Sequence, residues 1–229
     1  EQQAGILQGM LFSRDITKPW IRSETPAAKK RRAALILKRL ERAYPNAKIA
    51  LKYQTPMQLL AAVIMSAQAT DKKVNEITQT LFRKYRTADD FAGLDPRKLA
   101  QEIHAIGFYR AKALAIVTSA RIIRDRFGGK IPRTMAEMLT LRGVARKTAN
   151  VVLGNLYGVT EGNAVDTHVR RLSQRLGFSS RDDPVKIERD LMSLLKKDKW
   201  IKLTYKLIDH GRALCTSRGR KCELCQVKD

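Results

Sequence analysis

The sequence predicts an all-α protein, and three observations support this fold class. Four Thr-Pro or Asp-Pro pairs put a capping side chain directly before a proline, a combination typical of helix starts. Apolar residues then recur three and four positions apart, as on one face of a helix. No segment alternates apolar and polar residues convincingly, and no two-residue hairpin turn is evident. We therefore expect about ten helices joined by short loops.

The predicted elements follow the pairs in order. The pairs are Thr25-Pro26, Thr55-Pro56, Asp95-Pro96 and Asp183-Pro184. Apolar faces follow three of them: Ala33, Ile36, Leu37, Leu40 and Tyr44; Leu60, Val63, Ile64 and Ala67; and Ile187, Leu191, Leu194 and Leu195. Two more helices are predicted over residues 134–140 and 145–157, on either side of Gly143. Residues 1–24 lack periodicity, which predicts an N-terminal extension.

The charge indicates a polyanionic partner. Lys and Arg number 45 against 22 acidic residues, a net charge of +23. Such an excess repels itself in a folded chain, and nucleic acid is the favoured partner. An anionic membrane surface would require a basic amphipathic helix, whereas the charge here is spread along the chain. The run Lys29–Arg32 could be a nuclear localisation patch, but the solvated first turn of a helix is the preferred interpretation. No apolar run is long enough to span a bilayer, and no secretory signal is evident.

The segment 141–149, L-R-G-V-A-R-K-T-A, lies between two predicted helices. A short turn containing Gly143 would join them and leave backbone N–H groups of the second helix unpaired. Such N–H groups bind phosphate without reading base sequence. A plain helix–turn–helix connection with a glycine cap is an equally good interpretation of this segment alone.

Three cysteines, Cys215, Cys222 and Cys225, lie within the last fifteen residues. The rest of the chain has none, which excludes a disulfide framework. Clustered cysteines in a chain without a secretion signal are typical of metal ligands.

Several motifs together resemble the endonuclease III family of DNA glycosylases. The family's helix–hairpin–helix usually runs Leu-Pro-Gly-Val-Gly followed by Arg-Lys-Thr-Ala, close to residues 141–149. The resemblance also covers M-S-A-Q-A-T-D at 65–71, I-G-F-Y at 106–109, N-V-V-L at 150–153, A-V-D-T-H at 164–168 and the cysteine cluster. It extends from about residue 27 to the end. Arg142 and Ala145 depart from the pattern, and Ala145 requires an ordinary φ at that position.

The resemblance implies a bifunctional glycosylase and abasic-site lyase acting on duplex DNA that contains a damaged pyrimidine. Lys147 would be the nucleophile, attacking sugar C1′, displacing the base and forming a Schiff base that permits β-elimination. Asp166 would accept a proton or stabilise positive charge on the sugar. The simpler alternatives are an exposed helix lysine and an N-cap aspartate, although a cap can also be catalytic.

The resemblance also nominates residues that open the duplex. Gln68 would replace hydrogen bonds to the orphaned base, and Phe108 would wedge between base steps, with Gly107 favouring a tight exposed turn. A surface amide and a core aromatic are the alternatives. The other predicted DNA contacts are Arg142, Gly143, Ala145, Arg146 and Thr148 in the hairpin, and Arg218, Arg220 and Lys221 between the first two cysteines.

The cysteines resemble three ligands of the family's [4Fe–4S] cluster. The fourth is expected at position 231, just past Asp229. Zinc held by three cysteines and one histidine is the rival, but His210 lacks the typical spacing.

The family's two-lobed fold implies a helical bundle over 50–160 that carries the hairpin. Residues 25–49 and 161–229 would form the second lobe, with the cysteines, and Lys147 and Asp166 would face each other across a cleft.

Two rivals to this function remain. A related glycosylase would have another base specificity, and adenine glycosylases of the mismatch type lack the nucleophilic lysine. A non-catalytic helix–hairpin–helix module would explain the charge and Gly143 but not the pair of Lys147 and Asp166. We expect a monomer with no membrane partner, located in the bacterial cytoplasm and nucleoid or in the nucleus or another DNA-containing compartment of a eukaryote.

Overall fold

A computed structural model describes residues 23–159 and 161–228, and it confirms the all-α fold class. Within these residues the only strand-like feature is an isolated bridge between Cys215 and Arg220. The α-helices are α1 (Pro26–Ala43), α2 (Pro56–Ser66), α3 (Asp71–Lys84), α4 (Ala88–Ala92), α5 (Pro96–Glu102), α6 (Tyr109–Phe127), α7 (Met135–Met138), α8 (Arg146–Tyr157), α9 (Thr167–Arg175), α10 (Pro184–Leu194) and α11 (Trp200–Ala213). Short 3₁₀ turns span Lys197–Lys199 and Cys222–Leu224.

The four predicted helix starts are confirmed. Thr25, Thr55, Asp95 and Asp183 are N-caps, and each is followed by a proline in the first turn. The cap side chains accept hydrogen bonds from backbone N–H groups two or three residues further on. Proline fits there because its missing N–H would have no partner inside the helix.

The chain divides into two compact units, each with its own apolar core. The hairpin unit comprises Lys48–Ala164. In it α6 packs against α2, α4 and α5, while α2 also packs against α3 and α8. Helix α2 is buried from Met57 to Met65, since it lies at the centre of this unit and its apolar residues surround the whole helix.

Among the described residues, the cysteine unit comprises 23–47 and 165–228. In it α11 packs on α1 and α9, and α10 packs on α1 and α9. Gly211 permits the close approach of α9 and α11, because a Cβ there would lie 2.9 Å from His168 Nδ1 and 3.0 Å from Arg171 Nη2.

Positions 1–22 of the predicted extension, residues 1–24, lie outside the described residues. Glu24 lies among the described residues and contacts α1. Its carboxylate accepts hydrogen bonds of 2.9 and 2.8 Å from the Arg32 guanidinium, and Arg32 also donates to Leu176 O. The hydrogen bond from Arg32 lowers the pKa of Glu24, and the pair ties the residue before the Thr25 cap to α1.

None of the helices in residues 23–159 and 161–228 combines the length and the apolar character that crossing a membrane would require.

Candidate active site and nucleic-acid interface

The predicted turn around Gly143 is confirmed. Gly143 has a φ of +74°, and the turn closes with a hydrogen bond from Val144 N to Leu141 O. Leu141 and Val144 are buried, and Ser119 of α6 donates a hydrogen bond of 2.8 Å to Arg142 O. These contacts fix the turn to α6 and leave its outer face exposed.

Two features of the turn require glycine at position 143, namely the close approach to α6 and the positive φ. Replacing Gly143 therefore tests the structure of the turn. A Cβ at this position would lie 2.8 Å from Ala115 Cβ, and the positive φ disfavours any other residue. We expect Gly143→Ala to lower the free energy of unfolding by about 2–4 kcal/mol in urea denaturation.

Gly158→Ala is the matched control. Gly158 also has a positive φ, +65°, but no atom lies within 4 Å of a Cβ built on it. The control should therefore cost only the conformational term, about 1 kcal/mol. Equal losses in the two variants would contradict the close packing of the turn on α6.

Helix α8 begins at the exposed side of this turn. Ala145, its N-cap, has a φ of −92°, so the ordinary backbone angle required of an alanine is present. The cap has no side-chain hydrogen bond, and the first turn contains no acidic residue. Helix N-termini of this kind attract anions through their N–H groups and dipole. Arg146 adds positive charge, although its Nη2 also donates to Glu161 O at 2.7 Å.

Lys147 is the second residue of α8 and is exposed to solvent. The structure therefore places it in the first turn of the hairpin helix, beside the uncapped N–H groups. Thr148 follows it and is half-buried. Arg142, Gly143 and Ala145 are all exposed, so the predicted hairpin contacts lie together on one surface of the hairpin unit.

Asp166 is the N-cap of α9, as its position before an apolar helix face indicated. Its Oδ1 accepts a hydrogen bond of 2.7 Å from Val169 N, and the side chain is half-buried. The cap uses one carboxylate oxygen and fixes the orientation of the group. Burial lowers the pKa of His168. The nearby negative charge of Asp166 acts in the opposite direction and raises that pKa.

Two arginines on α9 connect it to the cysteine segment, and the sequence analysis missed both. Arg171 donates to Cys215 O at 3.1 and 3.2 Å and to Gly211 O at 3.1 Å. Arg175 donates to Cys215 Sγ at 3.2 Å and to Thr216 O at 2.7 Å. Their spacing of four residues on one helix face was the available signal.

The three cysteines do not form a complete metal site among the described residues. Cys215 and Cys225 are half-buried against the second core, whereas Cys222 is exposed. Residues 23–159 and 161–228 contain no group of three His, Cys, Asp or Glu side chains arranged to hold one metal ion. Cys225 Sγ lies 3.4 Å from His210 Nε2, while His210 Nδ1 lies 3.0 Å from Tyr44 Oη. The described donor set therefore falls short of the four thiolates that a cubane cluster requires.

The segment between Cys215 and Cys222 is compact and positively charged. Gly219 N donates to Thr216 Oγ1 at 3.0 Å, and Lys221 N donates to Leu214 O. These bonds fold the loop back on itself, so that Arg218, Arg220 and Lys221 are exposed. The surface is suited to phosphate contacts.

Gln68 and Phe108 share an unusual backbone conformation. Within residues 23–159 and 161–228, they are the only residues other than glycine with a positive φ, 54° and 58°. The turn at Phe108 was expected to depend on Gly107, but the left-handed residue is Phe108 itself. Phe108 is 68% exposed, which excludes the core aromatic alternative. Left-handed conformations cost energy for such residues and are concentrated at functional sites.

Comparison with known proteins identifies the family. Residues 61–197 match the model of the HhH-GPD superfamily base excision DNA repair proteins. Endonuclease III of Synechocystis sp. is 49% identical over 88% of this chain and 92% of its own length. Endonuclease III of Bacillus subtilis is 40% identical over 80% of this chain and 84% of its own length.

A solved structure gives the same result. It is a trapped endonuclease III–DNA covalent intermediate in an estranged-adenine complex, with a TM-score of 0.80 and 39% identity. The match covers 86% of this chain and 92% of that one. The chain therefore belongs to the HhH-GPD superfamily of base excision DNA repair proteins and, within it, to the endonuclease III family.

Proposed function

We propose that this protein removes oxidised pyrimidines from duplex DNA and then cleaves the strand at the resulting abasic site. The observation that carries the proposal is the place of Lys147, exposed in the first turn of the hairpin helix within Arg-Lys-Thr-Ala. The trapped covalent complex of a similar endonuclease III supports a covalent route for this chain.

The chemistry proposed for Lys147 begins with displacement of the base. Its neutral amine attacks sugar C1′, and the bond from C1′ to the base breaks with the electron pair leaving on the base, which takes a proton. The amine nitrogen then forms a double bond to C1′ as the C1′–O4′ bond breaks, and O4′ takes a proton. The resulting protonated Schiff base acidifies the neighbouring sugar C–H. Loss of that proton expels the 3′ phosphate by β-elimination, and water then releases Lys147 from the cleaved strand.

Asp166 is proposed to supply the negative charge that this sequence needs. Its capping bond occupies Oδ1 and holds the carboxylate in one orientation, so Oδ2 is the oxygen proposed to act. A preoriented carboxylate stabilises positive charge on the sugar, or accepts a proton, without reorganising during the reaction.

Binding to duplex DNA is proposed to use three surfaces. The first is the hairpin with the N-terminus of α8, which would hold a backbone phosphate. The second is the exposed pair of Gln68 and Phe108, which would occupy the space left by the extruded nucleotide. The third is the basic loop of Arg218, Arg220 and Lys221.

Borohydride reduction during incubation with a duplex containing an abasic site tests the activity. We expect a covalent protein–DNA adduct, because borohydride reduces the Schiff base to a stable amine. A non-catalytic helix–hairpin–helix module would bind the same duplex and give no adduct. Release of oxidised thymine from a second duplex separates this specificity from that of a related glycosylase.

We propose further that Cys215, Cys222 and Cys225 are ligands of a [4Fe–4S] cluster. The support is their spacing and the basic surroundings, since Arg175 Nη1 donates a hydrogen bond to Cys215 Sγ. The chain supplies three cysteines, so a fourth ligand must come from elsewhere. The cluster would provide a rigid base for the basic loop and has no step in the chemistry above.

Metal analysis of the purified full-length protein tests this cofactor. We expect about four irons per chain with matching sulfide. Cys222→Ser should lower the iron content because it removes one proposed ligand. Cys222 is exposed, so its replacement leaves no cavity in a core and should not unfold the protein. Zinc in place of iron, or a folded and active protein without metal, would contradict the cluster.

We also propose that the protein acts as a monomer, in whichever compartment holds the DNA. This would be the cytoplasm and nucleoid of a prokaryote, or the nucleus or another DNA-containing compartment of a eukaryote.

A further inference from the structure

Helix α6 begins in a way that distinguishes it from most helices of the chain. Eight of the eleven α-helices in the described residues start at a Thr or Asp whose side chain accepts a backbone N–H. The start of α11 continues directly from a 3₁₀ turn. The other two exceptions are α8, in the hairpin, and α6, whose N-cap is Phe108. Phenylalanine offers no acceptor, and the first turn of α6 contains no acidic residue.

A buried lysine follows this uncapped end within the first four residues of α6. Lys112 is the fourth residue of α6, and its backbone N–H closes the first turn on Phe108 O. The side chain is only 6% exposed. Among residues 23–159 and 161–228, Lys112 Nζ has no hydrogen-bond partner. Side chains in a helix lean toward its N-terminus, so we expect this ammonium to lie toward the Phe108 end of α6.

An unpartnered buried ammonium requires an explanation, because leaving a charge unpaired away from water is costly. Burial lowers the pKa of Lys112, which expresses that cost. An anion bound at the N-terminus of α6 would offset the cost of burying the Lys112 charge. Such an anion would meet the dipole and N–H groups of the first turn, with positive charge beneath it that water does not screen.

The surroundings of this end select the kind of anion. Phe108, 68% exposed, is the residue proposed above to wedge between base steps. Arg110, exposed in the same turn, adds a cation, with its guanidinium 5.4 Å from the ring of Tyr109. A DNA backbone that passes the wedge would bring a phosphodiester to the start of α6.

We propose that the N-terminus of α6, backed by Lys112, is a second phosphate-binding site, which takes a backbone phosphodiester next to the base step opened by Phe108. This inference rests on the proposed function, since it requires duplex DNA on the Phe108 surface. It places Lys112 among the DNA-binding residues, although it is neither exposed nor part of a basic run.

The test measures the binding of Lys112→Met to a duplex that carries a non-cleavable abasic analogue. Methionine matches the length and volume of the lysine chain without its charge. We expect about tenfold weaker binding at low salt and a slope of log K against log salt that is smaller by about one phosphate contact. Lys130→Met is the control, because Lys130 is exposed just past the other end of α6, roughly 25 Å away along the helix.

Single methylphosphonate substitutions in the same duplex locate the phosphate. Neutralising one phosphate next to the abasic analogue should weaken the wild-type protein about tenfold and weaken Lys112→Met clearly less, because the variant has already lost the charge that couples to that phosphate. A folded Lys112→Met variant with wild-type affinity and salt slope would overturn the inference, as would a variant that is only less stable. Absence of duplex binding by the wild-type protein would instead overturn the proposed function.

Discussion

Replacing Lys147 by alanine is expected to abolish base removal, strand cleavage and the borohydride-trapped adduct together. All three depend on the same amine, because the Schiff base is the intermediate that links excision to β-elimination. We expect rates to fall by at least about 10³-fold, the scale of losing a covalent nucleophile. Gel assays of excision and nicking, with trapping on an abasic-site duplex, measure the three effects.

The same variant should still fold and bind DNA. Lys147 is exposed in the first turn of α8, and alanine is a good helix former, so no core contact is lost. The exposed Lys130, replaced in the same way, should leave all three activities at wild-type levels. An adduct that survives in Lys147→Ala would place the nucleophile on another lysine, and equal losses in both variants would indicate a general charge effect.

Much of the fold could be predicted because local rules determine it. Each of the four capping pairs before a proline satisfies a free N–H and excludes a continuing helix upstream, so Thr25, Thr55, Asp95 and Asp183 mark starts without any tertiary information. The turn at Gly143 was predictable for the same reason. Its close contact with Ala115 was not, because the two residues meet only after α6 packs against the turn.

The site was predictable where sequence neighbours define it, and not where packing does. The cap at Asp166 follows from the helix after it. The left-handed backbone of Phe108 did not follow from the preceding glycine, because that glycine does not take the positive φ. Nothing in the sequence distinguishes Lys112 and Arg171 from the other cations of a basic chain. Only the fold shows that Lys112 is buried and that Arg171 binds the carbonyl of Cys215.

Asp166 combines a structural role with a proposed catalytic one, and the two can be separated. The capping role needs only an acceptor oxygen for Val169 N, which an asparagine also provides. The catalytic role needs a negative charge, which asparagine lacks. The chain supplies a matched control in Asp183, which caps α10 by accepting from Lys186 N at 2.9 Å and has no proposed part in the chemistry.

Asp166→Asn should therefore slow base excision by about 100-fold or more and leave the free energy of unfolding nearly unchanged. Asp183→Asn should change neither quantity. Alanine at either position should cost about 1 kcal/mol of stability by removing the cap, but only Asp166→Ala should also lose excision. Single-turnover excision and urea denaturation on the four variants decide the matter. A native excision rate in Asp166→Asn would reduce Asp166 to a helix cap and require another group to stabilise the charge on the sugar.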